Sequence, residues 1–180
     1  MPHNPDMHRR HSIRLKDYDY SQAGAYFVTI CTRDQEGLFG EIAEGSMRLS
    51  PFGKIVRACW DDLPRHYPHV ALDAFVIMPN HIHAIIMLTD PAVVGAGFKP
   101  APTRVNKRHR LTEIIRAFKT FSSRRINELH GTPGTPVWQR NYYEHVIRNE
   151  NDLDEVRKYI MNNPLKWDLD KENPENLGRA

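Results

Sequence analysis

Cysteine is scarce in this 180-residue chain, which contains only Cys31 and Cys59. Two isolated cysteines exclude a disulfide framework and are typical of buried thiols in a reducing compartment. Long apolar runs are missing as well, since the best stretches, residues 74–79 and 84–88, fall far short of the ~20 residues that span a bilayer. Residues 2–16 are polar and basic, so no secretory signal is predicted. We therefore expect one globular cytoplasmic domain with an attached arm or tail.

Positive charge is concentrated in two segments, although the net charge of the whole chain is only +3. Residues 1–16 carry a net +3 and residues 104–125 a net +7, so the rest of the chain carries −7. Basic segments on an acidic body indicate a surface that binds polyanions. A solvated helix face and a basic terminus would produce the same pattern, so charge alone leaves both interpretations open.

Periodicity predicts alternating strands and helices in the order β-α-β-β-α-β-α. Strands are expected over 25–32, 72–78, 81–89 and 137–148, and helices over 50–66, 111–129 and 149–163. This order matches an α+β fold, a ferredoxin-like split βαβ antiparallel sheet with an extra C-terminal helix. The predicted domain covers 21–167 and contains a long Gly/Pro loop at 90–110. A flexible basic arm at 1–20 and an acidic tail at 168–180 flank it.

The most distinctive local motif is His81-Ile82-His83, which opens a predicted strand just after Pro79-Asn80. Side chains alternate along a strand, so the two imidazoles share one face while Ile82 lies on the other. Two imidazoles at this spacing can bind one divalent metal, but the spacing does not identify the metal. Ordinary strand histidines remain the alternative, because a lone His-x-His is common by chance.

The last predicted helix carries two polar residues, Tyr159 and Asn163, at a spacing of four. Residues four apart lie on the same side of a helix, about 5–6 Å apart at Cβ. This side borders the apolar stripe, so a tyrosine here is ordinarily a packed residue with a wet hydroxyl. On the residues alone, a chemical role for Tyr159 is the less favoured interpretation.

Four segments together resemble the REP-associated tyrosine transposases, which belong to the single-tyrosine HUH superfamily (histidine, hydrophobic residue, histidine). They follow the family's order over about residues 14–167, and they are YFVTICT, MPNHIH, VWQRNYYEHVIRNENDL and YIMNNPLKW. The resemblance implies a ferredoxin-like sheet, which the periodicity predicts independently. It also implies a bacterial protein associated with the nucleoid.

The resemblance assigns roles to individual residues. His81 and His83 correspond to the metal-binding pair, Tyr159 to the nucleophile and Asn163 to a further metal ligand, although related enzymes use a different amide residue there. The cofactor would be Mg²⁺ or Mn²⁺. The implied activity is cleavage and transfer of single-stranded DNA at palindromic REP hairpins through a 5′-phosphotyrosine, because a metal can neutralise charge on the phosphodiester. Tyr142 and Tyr143 are rival nucleophiles.

The basic segments would then position the DNA through its phosphates. The candidate DNA-binding residues are Arg9, Arg10, Arg14, Lys16, Arg104, Lys107, Arg108, Arg110, Arg116, Lys119 and Arg124. We expect DNA hairpins as partners, no membrane, and either a monomer or a homodimer.

Two other functions stay open. A metal-dependent hydrolase would need more fixed ligands than the histidine pair, and HExxH is absent. A non-catalytic nucleic-acid-binding domain could share the same sheet.

Overall fold

A computed structural model describes residues 19–89, 109–170 and 172–176. The principal sheet contains β1 (Gly24–Cys31), β4 (Val70–Ile77), β5 (His81–Leu88) and β6 (Tyr143–Ile147). Its strand order is β4-β5-β1-β6, and every neighbouring pair is antiparallel. A separate hairpin consists of β2 (Gly40–Ala43) and β3 (Ser46–Leu49). The predicted ferredoxin-like antiparallel sheet is confirmed.

Helices cover both faces of this sheet. They are α1 (Pro51–Asp61), α2 (Leu63–His66), α3 (Leu111–His130) and α4 (Glu150–Asn162). Val28, Ile82 and Ile86 face one core, which holds Trp60 of α1 and Phe118 of α3. The other face carries a smaller core in which α4 packs on the sheet, made of Phe27, Ile85, Ile147, Leu153 and Ile160. Alternation along β5 therefore separates an apolar face from the face that carries the histidines.

Local sequence explains where the helices start and stop. Ser50 caps α1 by accepting a hydrogen bond from the Gly53 N–H at 3.1 Å, and Asn149 caps α4 through the Asp152 N–H at 2.9 Å. Such side-chain acceptors satisfy amides that a first helical turn leaves unpaired. Gly131 ends α3 in the left-handed region at φ 72°. Pro164 follows α4, which continues into a 3-10 helix over Pro164–Leu169.

Three predicted elements differ in the structure. The helix expected over 50–66 is divided into α1 and α2, because Pro64 has no N–H with which to continue the helical ladder. The strand expected over 137–148 is regular only over β6. Trp138 keeps an isolated bridge to Thr32, and between this bridge and β6 the carbonyls of residues 139–141 accept hydrogen bonds from Lys119. The β2–β3 hairpin was not predicted, since its strands have only four residues each.

The predicted loop at 90–110 and the arm at 1–20 fall almost wholly outside the described residues. Within the described part of the chain, the structure contains no helix that is both long and apolar enough to cross a membrane.

Candidate active site

The two histidines of β5 lie side by side on the face that α4 covers. His81 pairs with Cys31 of β1 and His83 with Thr29, and both imidazoles are fully buried. Their Nε2 atoms are 3.0 Å apart. The shared face predicted from strand alternation is therefore present, with both ring nitrogens directed at one point.

Asn80 determines how the His81 ring is protonated. Its Nδ2 donates to the carbonyls of Gln35 at 3.2 Å and Glu172 at 2.6 Å, which fixes the orientation of the amide. Asn80 Oδ1 then faces His81 Nδ1 at 2.8 Å and must accept a hydrogen bond from it. In the neutral ring, Nε2 then keeps its lone pair and is available as a metal ligand.

His83 is held by neighbours in β1. Thr29 Oγ1 lies 2.8 Å from His83 Nδ1, and the Phe27 ring stacks on the imidazole with centroids 5.5 Å apart. A hydrogen bond on Nδ1 leaves Nε2 directed towards His81 and α4. This is the ordinary arrangement of a metal-binding histidine, in which the second nitrogen is oriented by a hydrogen bond.

Asp170 completes a cluster that the sequence did not predict. Its buried carboxylate lies 3.9 Å from His81 Nε2, measured at Oδ2. One ligand atom from each of His81, His83 and Asp170 falls within 4.8 Å of the others. Asp170 was assigned to an acidic tail, and no motif or spacing in the sequence distinguishes it from the neighbouring acidic residues.

Asn163 supplies an unsatisfied polar atom beside this cluster. The residue is buried at the end of α4, and its Oδ1 has no hydrogen-bond partner among the described residues. A buried acceptor without a partner costs free energy unless a ligand or water satisfies it. Two imidazole nitrogens, a carboxylate and an amide oxygen form a donor set that fits a divalent cation.

Tyr159 places its hydroxyl at the edge of the cluster. The oxygen lies 3.2 Å from His83 Nε2, and the ring contacts Phe27 edge-on with centroids 5.9 Å apart. Burial raises the pKa of the phenol above its ordinary value, and the Asp170 carboxylate raises it further. The side chain is still 43% exposed, so a substrate can reach the oxygen. Tyr159, His83, Asn163 and Asp170 all line one cleft of about 500 Å³.

Two polar contacts attach α4 to the sheet. Arg157 of α4 pairs with Asp73 of β4, at the point where the register between β4 and β5 shifts. At the beginning of the helix, Asp152 accepts a hydrogen bond from His145 Nε2 of β6 at 3.0 Å. These contacts flank the apolar packing and determine where Tyr159 lies relative to the histidines.

The rival tyrosines occupy different surroundings. Tyr143 lines the same cleft as Tyr159 and contacts Phe27 edge-on. Tyr142 packs against the core on the other side of the sheet. The Tyr159 hydroxyl, by contrast, lies 3.2 Å from His83 Nε2.

The basic residues of α3 lie apart from the histidines. Arg116, Lys119 and Arg124 line a groove of about 830 Å³ between α3 and residues 134–142, which also contains Arg140. The Lys119 ammonium is used within the protein, as its bonds to three carbonyls show, and burial lowers its pKa. Arg110 precedes α3, and its N–H donates to Glu113. The remaining candidates lie outside the described residues, and they are Arg9, Arg10, Arg14, Lys16, Arg104, Lys107 and Arg108.

Comparison with known proteins finds two relatives of this chain in one bacterium. A protein of Haemophilus influenzae, named only as uncharacterized, is 40% identical over 178 residues, which cover 94% of this chain and 96% of the relative. A second protein of that organism is 27% identical over 152 residues, covering 82% and 74% of the two chains. Its name is "Putative REP-associated tyrosine transposase". No family model matches this chain.

A solved structure shares the fold. It is a REP-associated tyrosine transposase bound to a REP hairpin, and it aligns with a TM-score of 0.58 at 21% identity, covering 88% of this chain and 76% of the other. The sheet and helices described above therefore have counterparts in that structure.

Proposed function

This chain is related in sequence and fold to the REP-associated tyrosine transposases, and from that premise we propose a specific chemistry for it. It is a metal-dependent endonuclease and strand transferase that acts on single-stranded DNA at palindromic hairpins. The observation that carries this proposal is the Tyr159 hydroxyl 3.2 Å from His83 Nε2, within a buried cluster suited to a metal.

The residues present fit a metal ion. His81, His83 and Asp170 would hold it, and Asn163 offers the orphaned oxygen as a further ligand. When bound, a divalent cation such as Mg²⁺ or Mn²⁺ would polarise the phosphodiester and neutralise its charge. Asn80 and Thr29 orient the two imidazoles, so the site is arranged before the substrate arrives.

Tyr159 would act as the nucleophile. Its oxygen attacks the scissile phosphorus as the phenolic O–H bond breaks, and the P–O3′ bond breaks in the same exchange. The departing 3′-oxygen takes up a proton, so the products are a 5′-phosphotyrosine and a free 3′-hydroxyl. Because the phosphodiester energy is kept in the covalent link, a 3′-hydroxyl of another strand can reverse the exchange and join the strands.

The groove along α3 would bind the backbone of the hairpin. Arg116, Arg124 and Arg140 lie along one cavity and can reach neighbouring phosphates, whereas Lys119 is committed to carbonyl groups. Replacing Arg116 and Arg124 together by alanine should then reduce the slope of log Kd against log salt concentration by about two. An unchanged slope would place the hairpin elsewhere.

Covalent capture tests the chemistry directly. The protein is incubated with a labelled single-stranded hairpin from the host genome and Mn²⁺ or Mg²⁺, and the products are resolved on a denaturing protein gel. We expect a metal-dependent labelled band that Tyr159→Phe and His81→Ala both abolish. Tyr142→Phe and Tyr143→Phe serve as matched controls and should retain the band.

The outcomes separate the alternatives. A band that survives in Tyr159→Phe would move the nucleophile to another residue. Tight hairpin binding without a band in the unmodified protein, over a broad set of hairpins and both metals, would instead favour a binding domain. Addition of a strand with a 3′-hydroxyl to the isolated adduct should yield a joined product.

A further inference from the structure

We propose that the cleft beside Tyr159 holds one nucleotide of the single strand next to the scissile phosphate. Tyr143 stacks on its base and Lys166 binds an adjacent phosphate. This inference rests on the proposed function and names residues to which that chemistry gives no role.

Several residues that line the cleft have no role in the proposed chemistry. Tyr159, His83, Asn163 and Asp170 account for the part that faces the metal cluster. The remaining lining comes from β1, from the beginning of β6 and from the 3-10 helix after α4. The last two elements contribute Tyr143, Lys166 and Leu169. A nucleotide whose phosphate reaches Tyr159 can extend along this remaining wall, because both line the same cleft.

Tyr143 is placed as a stacking platform. Its ring contacts Phe27 edge-on with centroids 6.2 Å apart, and Phe27 also supports Tyr159 at 5.9 Å. Phe27 itself is buried, so it holds both tyrosines on a rigid base. Tyr143 is nevertheless 47% exposed, which leaves a large part of the ring available to a base. Stacking on an aromatic ring accepts any base, as binding of a single strand requires.

Lys166 and Leu169 act together on the other element of this wall. Residues three apart in a 3-10 helix lie on the same side, so these two side chains project together. Lys166 is exposed and has no ion pair among the described residues, while Leu169 is 85% exposed. This part of the wall therefore pairs an exposed apolar side chain with an exposed cation. It suits a nucleotide, which presents an apolar base and an anionic phosphate.

A thermodynamic cycle between protein and DNA tests the stacking contact. Affinity is measured by fluorescence anisotropy with Tyr159→Phe, which prevents cleavage, using hairpins with single abasic positions flanking the scissile phosphate. Tyr143→Ala should weaken binding of the intact strand about tenfold. At one abasic position the same substitution should have no further effect, because the base that stacks on the ring is already missing.

Two controls make the cycle specific. Phe121→Ala removes another exposed aromatic ring, on α3 and outside this cleft, and should leave affinity unchanged. Tyr143→Phe keeps the ring and should bind like the parent. Losses that add at every abasic position would overturn the stacking contact, and so would weak binding by Tyr143→Phe, because that variant keeps the ring.

The phosphate contact has its own measurement. Lys166→Ala should reduce the slope of log Kd against log salt by about 0.7, the value for one phosphate of a single strand. Lys158→Ala, an exposed lysine of α4 that does not line the cleft, should leave the slope unchanged. Equal slopes for both variants would overturn this contact. Absence of the covalent band in the unmodified protein would refute the proposed function, whereas additive losses with the band present would refute only the nucleotide site.

Discussion

Arg157 and Asp73 form a two-point ion pair between α4 and β4. Arg157 Nη2 lies 2.6 Å from Asp73 Oδ2, and Arg157 Nε lies 2.9 Å from Oδ1. The planar guanidinium fits a carboxylate in this geometry and fixes orientation as well as distance. Since Tyr159 is two residues further along the same helix, the pair helps to determine where the nucleophile lies relative to His83.

Breaking this pair should therefore slow the reaction more than it weakens DNA binding. We expect Asp73→Asn to reduce the rate of covalent adduct formation about tenfold or more, because small displacements of a reacting group are costly. The hairpin Kd should be unchanged. Asp62→Asn, which breaks an exposed pair with Arg65 away from α4, is the matched control and should have no effect on the rate. Restoration of the rate by exchanging the charges in Asp73→Arg/Arg157→Asp would identify the pair itself as the cause.

The same pair should contribute to stability in a pH-dependent manner. Hydrogen bonding from Arg157 lowers the pKa of Asp73 below its usual 3.8. A lowered pKa in the folded state means that the contribution is present above the unfolded value and is lost as pH falls through the folded value. The wild-type protein should thus be more stable than Asp73→Asn at pH 7, and urea unfolding should show that the difference shrinks below about pH 4. A difference that stays constant to pH 2 would contradict this linkage.

Asp170 should be required for metal affinity although it lies outside every motif. Removing one charged ligand from the cluster should weaken Mn²⁺ binding by at least tenfold in Asp170→Asn, measured by the paramagnetic resonance of free Mn²⁺. Asp168→Asn is a suitable control, because Asp168 is an exposed carboxylate in the 3-10 helix that ends just before Asp170. If the two variants bind Mn²⁺ equally well, the carboxylate of Asp170 is not a ligand.

The hydroxyl of Thr29 should support the metal site from outside it. Thr29→Val keeps the shape of the side chain but removes the oxygen 2.8 Å from His83 Nδ1. Loss of such a partner commonly reduces metal affinity by about 10–100-fold. Thr120→Val provides the comparison, since that exposed hydroxyl donates to the Arg116 carbonyl of α3 and does not line the cleft of the histidines. Calorimetric titration with Mn²⁺ would disprove the orienting role if both variants matched the wild type.

Ser122 should stabilise the fold without affecting the chemistry. Its buried hydroxyl donates to the Phe118 carbonyl at 2.7 Å and accepts from Trp138 Nε1 at 2.9 Å. Ser122→Ala leaves the indole N–H buried without a partner, which costs about 1–3 kcal/mol. Urea unfolding should show this loss, while Ser123→Ala next to it should change the free energy of unfolding by less than about 0.5 kcal/mol. Equal stabilities would mean that water replaces the serine.

Periodicity predicted the large elements because their signals are local. The apolar spacing in α3 and the β-branched run in β1 each reflect a single face that must be buried. The hairpin at 40–49 was missed because its strands are short, although Glu44 and Gly45 both adopt positive φ, at 53° and 71°, as a tight two-residue turn requires. The pattern of residues 137–142 predicts a continuous strand, but the carbonyls of residues 139–141 accept hydrogen bonds from Lys119 of α3.

In the candidate site, too, local patterns predicted some features, and contacts between distant residues determined the others. Alternation along β5 was enough to place His81 and His83 on one face, and helical spacing was enough to align Tyr159 with Asn163. Neither pattern predicts how far the histidine pair lies from Tyr159 and Asn163. That distance depends on how α4 packs over β1 and β5, through Phe27 and through the contact of Arg157 with Asp73.

The sequence by itself determined the order of elements, the faces of β5 and the family resemblance, since each follows from neighbours within a few residues or from motifs in sequence. Only the tertiary structure decided that Asp170 joins the histidines, that Asn163 presents an unpaired oxygen and that Asn80 fixes the His81 tautomer. Ligand clusters of this kind form between residues far apart in the chain. Their distances are set by packing, for which local sequence patterns hold no information.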